Sequence, residues 1–246
     1  MHKKWDGNKA KPIALFIEVL ILVVTSDILP VWEWSTPASH YPEGRSRNIY
    51  LYRATVPAGH RLSMDGVMGY DECVFLKDCN ITILQEGLKD PFKVETILMS
   101  DTPREWLGMG EFSLRLDGPN ILIGGLGLGL IVWHLSKRKD VEKVTVVELS
   151  RDVINLVKPY LPTNIQVEVL EGDFIEIVPR LGRSGVKFNS AFVDLWAAPT
   201  EKWKPLYEDA RMVLEDWYPD IPHFYWGFQK EYEHEQVADW YRLCNS

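Results

Sequence analysis

The sequence predicts an α/β fold, a parallel sheet with helices between its strands, preceded by a small antiparallel β region. Three observations carry that reading. Four apolar runs in the second half of the 246-residue chain each end at a glycine or a carboxylate, with helix-compatible segments between them. Strands alternating with helical patterns signal βαβ units. The first run, Ile121-Leu122-Ile123, stops in Gly124-Gly125-Leu126-Gly127-Leu128-Gly129 and passes into an apolar helical segment, Leu130 to Lys137. From Ser35 to Gly118, by contrast, short apolar runs alternate with Gly, Asn and Asp, the punctuation of hairpins.

Taken in order, the chain begins with His2-Lys3-Lys4 and an apolar run, Ile13 to Val24. In outline this is a basic flank and an apolar core, as in a signal peptide. Glu18 interrupts the run, no small-residue cleavage site follows, and the run is too short to span a bilayer. The expectation is a buried strand or short helix, without membrane association. Asn48 to Arg53, Cys73 to Leu76 and Asn80 to Leu84 read as strands of the antiparallel region. Asp101-Thr102-Pro103-Arg104-Glu105 should open a helix, because Thr102 and Glu105 have capping-box spacing and Pro103 falls at the first helical position. The turn Asp117-Gly118-Pro119 is the predicted boundary between an N-terminal segment with a small β-hairpin domain (1–118) and a ligand-binding α/β domain (119–246).

In the second half, Gly125, Gly127 and Gly129 form G-x-G-x-G at a strand-to-helix turn. Glycine there lets a ligand approach the backbone closely, and the helix start offers unpaired N–H groups. The dinucleotide fingerprint G-x-G-x-x-G and the phosphate P-loop are not met. Val144 to Glu148 is a second strand ending in an acid, placed to accept the hydroxyl hydrogens of a ribose. Val167 to Phe174 is a third strand, ending in Gly172-Asp173, and Ser190 to Trp196 a fourth, with Asp194 at its tip. A helix over Glu201 to Trp217, a fifth strand over His223 to Phe228 and a last amphipathic helix over Lys230 to Leu243 complete the reading. With little chain after the fifth strand, the sheet is expected to be shortened or completed by an N-terminal strand.

Residues from about Asn120 to Glu215 resemble the core of class I S-adenosylmethionine-dependent methyltransferases, more narrowly their polyamine aminopropyltransferase (spermidine synthase-like) branch. Ile121 to Gly129 matches the first motif, with apolar Ile123 as in that branch. Val141 to Ile154 is similar to the second, Gly172-Asp173 to the third and Asp194 to the acid after the fourth strand. The resemblance implies a Rossmann-like sheet of the class I methyltransferase type and a cofactor, S-adenosylmethionine or its decarboxylated form. Gly125, Gly127 and Gly129 would approach the amino-acid and ribose parts, Glu148 would hold the ribose, and Gly172 and Asp173 the adenine. Asp194 and the following Trp196 would face the sulfonium or the acceptor, and Glu105 lies where the family has a carboxylate near the substrate cleft. Two departures matter. Leu128 replaces the acid of the branch's glycine loop, and in Asp194-Leu195-Trp196-Ala197 an alanine stands where the second acid, expected to activate the attacking amine, should be. The expected activity is transfer from S-adenosylmethionine, methyl transfer to a small-molecule acceptor first. Aminopropyl transfer and a non-catalytic adenosyl-binding protein are the alternatives, and a homo-oligomer through the N-terminal segment is compatible with the last.

Composition agrees with an enzyme of this kind. Apolar residues make up 46%, enough for a substantial core, and the net charge of −8 argues against a sequence-independent grip on nucleic-acid phosphates. Three cysteines without C-x-x-C spacing predict reduced thiols and a cytoplasmic setting. Six scattered histidines, with no H-E-x-x-H and no Cys/His cluster, give no metal-site signal.

Overall fold

The computed structural model of the protein describes residues 27–87, 96–197 and 200–228. The apolar run 13–24, the helix expected over 230–243 and Cys244 lie outside the described residues. The first part of the chain forms two small sheets. Strands β1 (Ile28–Val31), β2 (Gly44–Ser46), β3 (Ile49–Val56), β4 (Arg61–Ser63), β5 (Glu72–Phe75), β6 (Cys79–Glu86) and β7 (Ile97–Ser100) precede the first described α-helix. A four-stranded sheet has the order β2-β3-β6-β7 and is antiparallel throughout. A three-stranded sheet has the order β1-β5-β4, with β1 parallel to β5. The strands of the expected region, β2 to β7, pair antiparallel throughout; β1, which precedes that region, adds in parallel to β5. Cys73 and Cys79 are free thiols, both buried.

The second part alternates. Helix α1 (Pro103–Arg115) leads to β8 (Asn120–Gly124), then α2 (Leu130–Leu135), β9 (Lys143–Glu148), α3 (Arg151–Val157), β10 (Gln166–Glu171), α4 (Phe174–Arg183), β11 (Ser190–Val193), α5 (Lys204–Trp217) and β12 (His223–Tyr225). The five strands form one all-parallel, Rossmann-like sheet of order β10-β9-β8-β11-β12. The order reverses at β8, so a crevice opens beyond the carboxyl ends of β8 and β11. β8 and β11 are almost wholly buried and correspondingly apolar, as a strand covered on both faces must be. β10, at the edge, alternates valine with glutamate, and its Glu168 pairs with Lys143 of β9 at 2.6 Å. Among the described residues no N-terminal strand joins this sheet; β1 pairs within the small sheet instead.

Local chemistry sets the helix starts. Thr102 caps α1, its hydroxyl accepting from the Glu105 N–H at 3.5 Å, with Pro103 in the first turn. Ser150 caps α3 and Asp173 caps α4. Asp101, fully buried, ties the segment between β1 and β2 to β6. Its carboxylate accepts from the Thr36 hydroxyl at 2.5 Å, the Ser39 hydroxyl at 3.3 Å and the Thr82 N–H at 2.5 Å. Tyr41 ties the same region to the parallel sheet, donating to the Leu128 carbonyl at 3.1 Å and accepting from the Trp133 indole at 2.8 Å. Among the described residues no helix is long and apolar enough to cross a membrane.

Candidate functional site

A cavity of about 380 Å³ lies at the carboxyl ends of the parallel strands, within the size range of small-molecule sites. Gly125, Gly127, Glu148, Gly172, Asp173, Asp194 and Trp196 all line it. Four successive strand ends thus deliver their predicted residues to one place. The opposite wall comes from the antiparallel sheet, with Ile49, Leu84, Glu86, Leu98 and Met99.

The glycine loop is shaped by contacts that exclude side chains. Gly125 has φ +89°, and a Cβ there would lie 2.1 Å from the Asp194 carbonyl oxygen. Gly127 has φ +48°, and its Cβ would lie 2.5 Å from the Met99 sulfur. Gly129 is placed differently. It stands at the start of α2 against Leu161, and it is not among the cavity-lining residues. Leu126 and Leu128 turn into the hydrophobic core and are almost fully buried, so they do not narrow the cavity. The loop's own N–H groups are partly committed, since Leu126 donates to Glu148 Oε2 at 2.8 Å and Leu128 to the Met99 sulfur at 3.1 Å.

Glu148 is held by the Leu126 N–H on one oxygen and by the Ser150 N–H, at 2.8 Å, on the other. A carboxylate has about four acceptor positions, so these N–H groups do not exhaust its capacity to accept from a ligand's hydroxyl. Burial raises its proton affinity, and the Ser150 and Leu126 N–H groups oppose that rise. Asp173 spends Oδ1 on the Ile175 N–H at 2.9 Å, the cap of α4, while the residue lines the cavity. It therefore has a structural role beside any ligand role. Asp194 follows β11, and its backbone N–H donates to the Gly124 carbonyl at 2.8 Å. Burial pushes its carboxyl well above the usual carboxylate range, and the charges of Glu105 and Glu148 push it further.

Glu105, in the first turn of α1, is largely buried but is not among the cavity-lining residues. Burial raises its carboxyl to about 7, with Arg104 opposing and Asp65 adding to the rise. Arg104 is 3.7 Å from Glu105 but 2.7 Å from Asp65, so its charge is shared. Trp196 is buried, and its indole N–H donates to the Trp226 carbonyl at 2.8 Å, which fixes the ring beside Asp194.

Four carboxylates, Glu86, Glu148, Asp173 and Asp194, line the cavity, with no Lys, Arg or His among the described residues that do so. Such a site favours cationic or neutral ligands. Among the described residues no group of His, Cys, Asp and Glu is placed to hold a metal ion. Sequence reasoning missed several lining residues. Leu149, 70% exposed directly after Glu148, carried a signal, since an apolar residue after a strand-end acid has no core to enter. Met99, Glu86 and Trp203 carried none, because only the meeting of separate elements brings them to the cavity.

No protein-family model matches the sequence, and no curated protein sequence matches it. Solved structures with a similar chain course include a candidate methyltransferase of Porphyromonas gingivalis W83, with 19% identity and a TM-score of 0.29 over 35% of this chain and 22% of that one. A candidate caffeoyl-CoA O-methyltransferase of Staphylococcus aureus has 18% identity and a TM-score of 0.35 over 56% of this chain and 72% of that one. Spermidine synthase of Thermotoga maritima has 18% identity and a TM-score of 0.35 over 54% of this chain and 49% of that one.

Proposed function

We propose that this chain is an S-adenosylmethionine-dependent transferase, carrying a methyl group to a small-molecule acceptor. One observation supports this above all: Gly125, Glu148, Asp173 and Asp194, from the ends of four successive parallel strands, line a single cavity of about 380 Å³. The residues fit an adenosyl group. Gly125, Gly127 and Gly172 leave the backbone bare, Leu149 offers an apolar face, and Glu148 keeps acceptor capacity towards a ribose.

When bound, S-adenosylmethionine supplies an electrophilic methyl on a positively charged sulfur. Gly125 and Gly127 let the ligand lie close to the loop, and Glu148 holds the ribose hydroxyls. Asp173 accepts from the adenine amino group with the oxygen not used in capping α4. Trp196, held by Trp226, excludes water beside Asp194. Asp194 takes the proton of the acceptor, a role for which a buried carboxyl of raised proton affinity is suited. Orientation and water exclusion carry much of the acceleration in such a transfer. The acidic, base-free lining favours a second reading, aminopropyl transfer from the decarboxylated donor, since that donor has no carboxylate to repel. Against it stands exposed Ala197, in the place of the second acid.

Calorimetric titration with S-adenosylmethionine, its decarboxylated form, S-adenosylhomocysteine and methylthioadenosine tests both readings. Binding of the first and third, with methyl transfer in an acceptor screen, is the expected result; binding of none of the four refutes the adenosyl reading. Asp173→Asn is the informative variant, because asparagine caps a helix about as well as aspartate. It should leave the melting temperature nearly unchanged and weaken adenosine-containing ligands about tenfold, the scale of one lost charge-assisted hydrogen bond. Unchanged affinity would reduce Asp173 to a cap.

A further inference from the structure

On the adenosyl reading, the ends of β8, β9 and β10 bring the glycines, Glu148 and Asp173 to the donor, and the part of the cavity past the tip of β11 is left for the acceptor. That part is lined by Leu195, Trp196 and Ala197, which follow Asp194, and by Trp203 and Leu206 at the start of α5. Leu195, Trp203 and Leu206 pack against the buried cluster that contains Trp196. None of these residues carries a charge, and the Trp196 N–H is already spent on the Trp226 carbonyl at 2.8 Å. Glu86, the lining carboxylate without a part so far, is exposed and belongs to the opposite wall.

The wall is aromatic and braced from behind. Trp196 meets Phe228 edge-on, with 4.9 Å between ring centroids and 87° between planes, and meets Tyr207 at 6.1 Å and 84°. Tyr207 in turn stacks on Phe228 at 4.7 Å. Rings interlocked in this way present a fixed apolar surface, which a flat ring covers better than a flexible chain does. An ammonium placed here would lose its water with Asp194 alone to meet it. One face of the Trp203 ring is also already taken by a cation of the chain, Lys202 Nζ, 4.8 Å from the centroid. Ala197, exposed at the rim, adds no acid.

We propose that the acceptor is an uncharged, flat aromatic molecule with a ring hydroxyl, its face against Trp196 and Trp203 and its hydroxyl towards Asp194. A ring hydroxyl ionises at about 10, as in tyrosine, so one buried carboxylate of raised proton affinity is a base matched to it. The hydroxyl proton passes to Asp194. The oxygen's electron pair forms the bond to the methyl carbon, and the pair of the broken carbon–sulfur bond stays on the sulfur, which becomes neutral. The proposal deepens the methyl-transfer reading and rests on it.

The probes are catechol and 2-naphthol, set against cyclohexanol, which has the hydroxyl without the aromatic ring, and putrescine, which has the charge. With the full chain saturated by S-adenosylhomocysteine, calorimetric titration should show the aryl alcohols binding at least about tenfold more tightly than either of the others, a difference of about 1.4 kcal/mol. With S-adenosylmethionine, mass spectrometry should find the added methyl on the aryl oxygen. Trp203→Leu keeps an apolar residue and removes the ring. It should cut the aryl advantage to about threefold or less and leave the affinity for S-adenosylhomocysteine within about twofold. Ala197→Asp, at an exposed position that folding tolerates, tests the wall independently: the added acid should narrow the gap between putrescine and the aryl alcohols at least about threefold. Putrescine bound as tightly as the aryl alcohols, no aryl alcohol bound or methylated, or an aryl advantage that neither variant moves overturns the proposal, while binding of S-adenosylhomocysteine upholds the adenosyl reading. Failure of S-adenosylhomocysteine to bind overturns both.

Discussion

Gly125→Ala is expected to abolish adenosyl-ligand binding and to cost folding about 3 kcal/mol or more, the range of backbone strain combined with a buried clash. Two independent effects add at this position. The φ of +89° is one an alanine reaches only with strain, and a Cβ would stand 2.1 Å from the Asp194 carbonyl oxygen. A flexible side chain could yield, but a carbonyl of the neighbouring strand end cannot move without moving β11. The Gly125 N–H also donates to the Val147 carbonyl at 2.9 Å, so a shift of the loop breaks a bond at the end of β9 as well. Three strand ends meet at this residue, and any relaxation displaces Asp194 and Glu148 together. Urea unfolding measures the stability loss, and titration with S-adenosylhomocysteine measures the binding loss. An alanine variant with native stability and affinity would show that the loop adopts another conformation.

Asp194→Asn should give the opposite pattern, a more stable protein without activity. The charged form of Asp194 is disfavoured by burial first and by the nearby Glu105 and Glu148 charges after it. An acid whose proton affinity is raised on folding binds more protons in the folded than in the unfolded state. Stability therefore falls as pH rises through that interval, and the cost is complete above it. Asparagine removes the cost, so the variant should melt a few degrees higher at pH 8, with the advantage gone at pH 4. Turnover should fall about a hundredfold or more if Asp194 is the base. Glu105 obeys the same sign. Its carboxyl lies at about 7 against an ordinary 4.5, so Glu105→Gln should relieve a loss of stability that develops between pH 4.5 and about 7. The relief is at most about 3–4 kcal/mol at 1.36 kcal/mol per unit. Melting curves across pH for the two variants separate these effects. A destabilised Asp194→Asn at pH 8 would mean the carboxylate is favourably held after all.

The parallel sheet was legible because each of its strands is a local signal, an apolar run with a punctuating Gly, Asp or Glu at its end. β8, β9, β10 and β11 fall within a few residues of the expected runs, and the start of α1 follows from Thr102 and Pro103 alone. The site residues on those strand ends came with the strands. What stayed hidden depends on elements meeting. Nothing local says that β1 pairs in parallel with β5, that Met99 lies over Gly127, or that Leu126 and Leu128 turn inward. Glu105 shows the boundary between the two cases. Its helix position was readable, but its electrostatic coupling to Asp194 arises from the packing of α1 against β11 and β12. Gly129 belongs to the same motif as Gly125, yet it serves the contact with Leu161 rather than the cavity.

The cavity takes one wall from residues between Ile49 and Met99 and the other from residues between Gly125 and Leu206. Neither stretch of chain holds a binding site by itself, so an occupant recognises only the assembled molecule. Occupancy therefore works as a thermodynamic brace on assembly. A ligand present at a hundred times its dissociation constant adds about 2.7 kcal/mol to the folded state by mass action. The melting temperature becomes a gauge of saturation, and candidate donors can be ranked by the heat the protein withstands, before any acceptor is known.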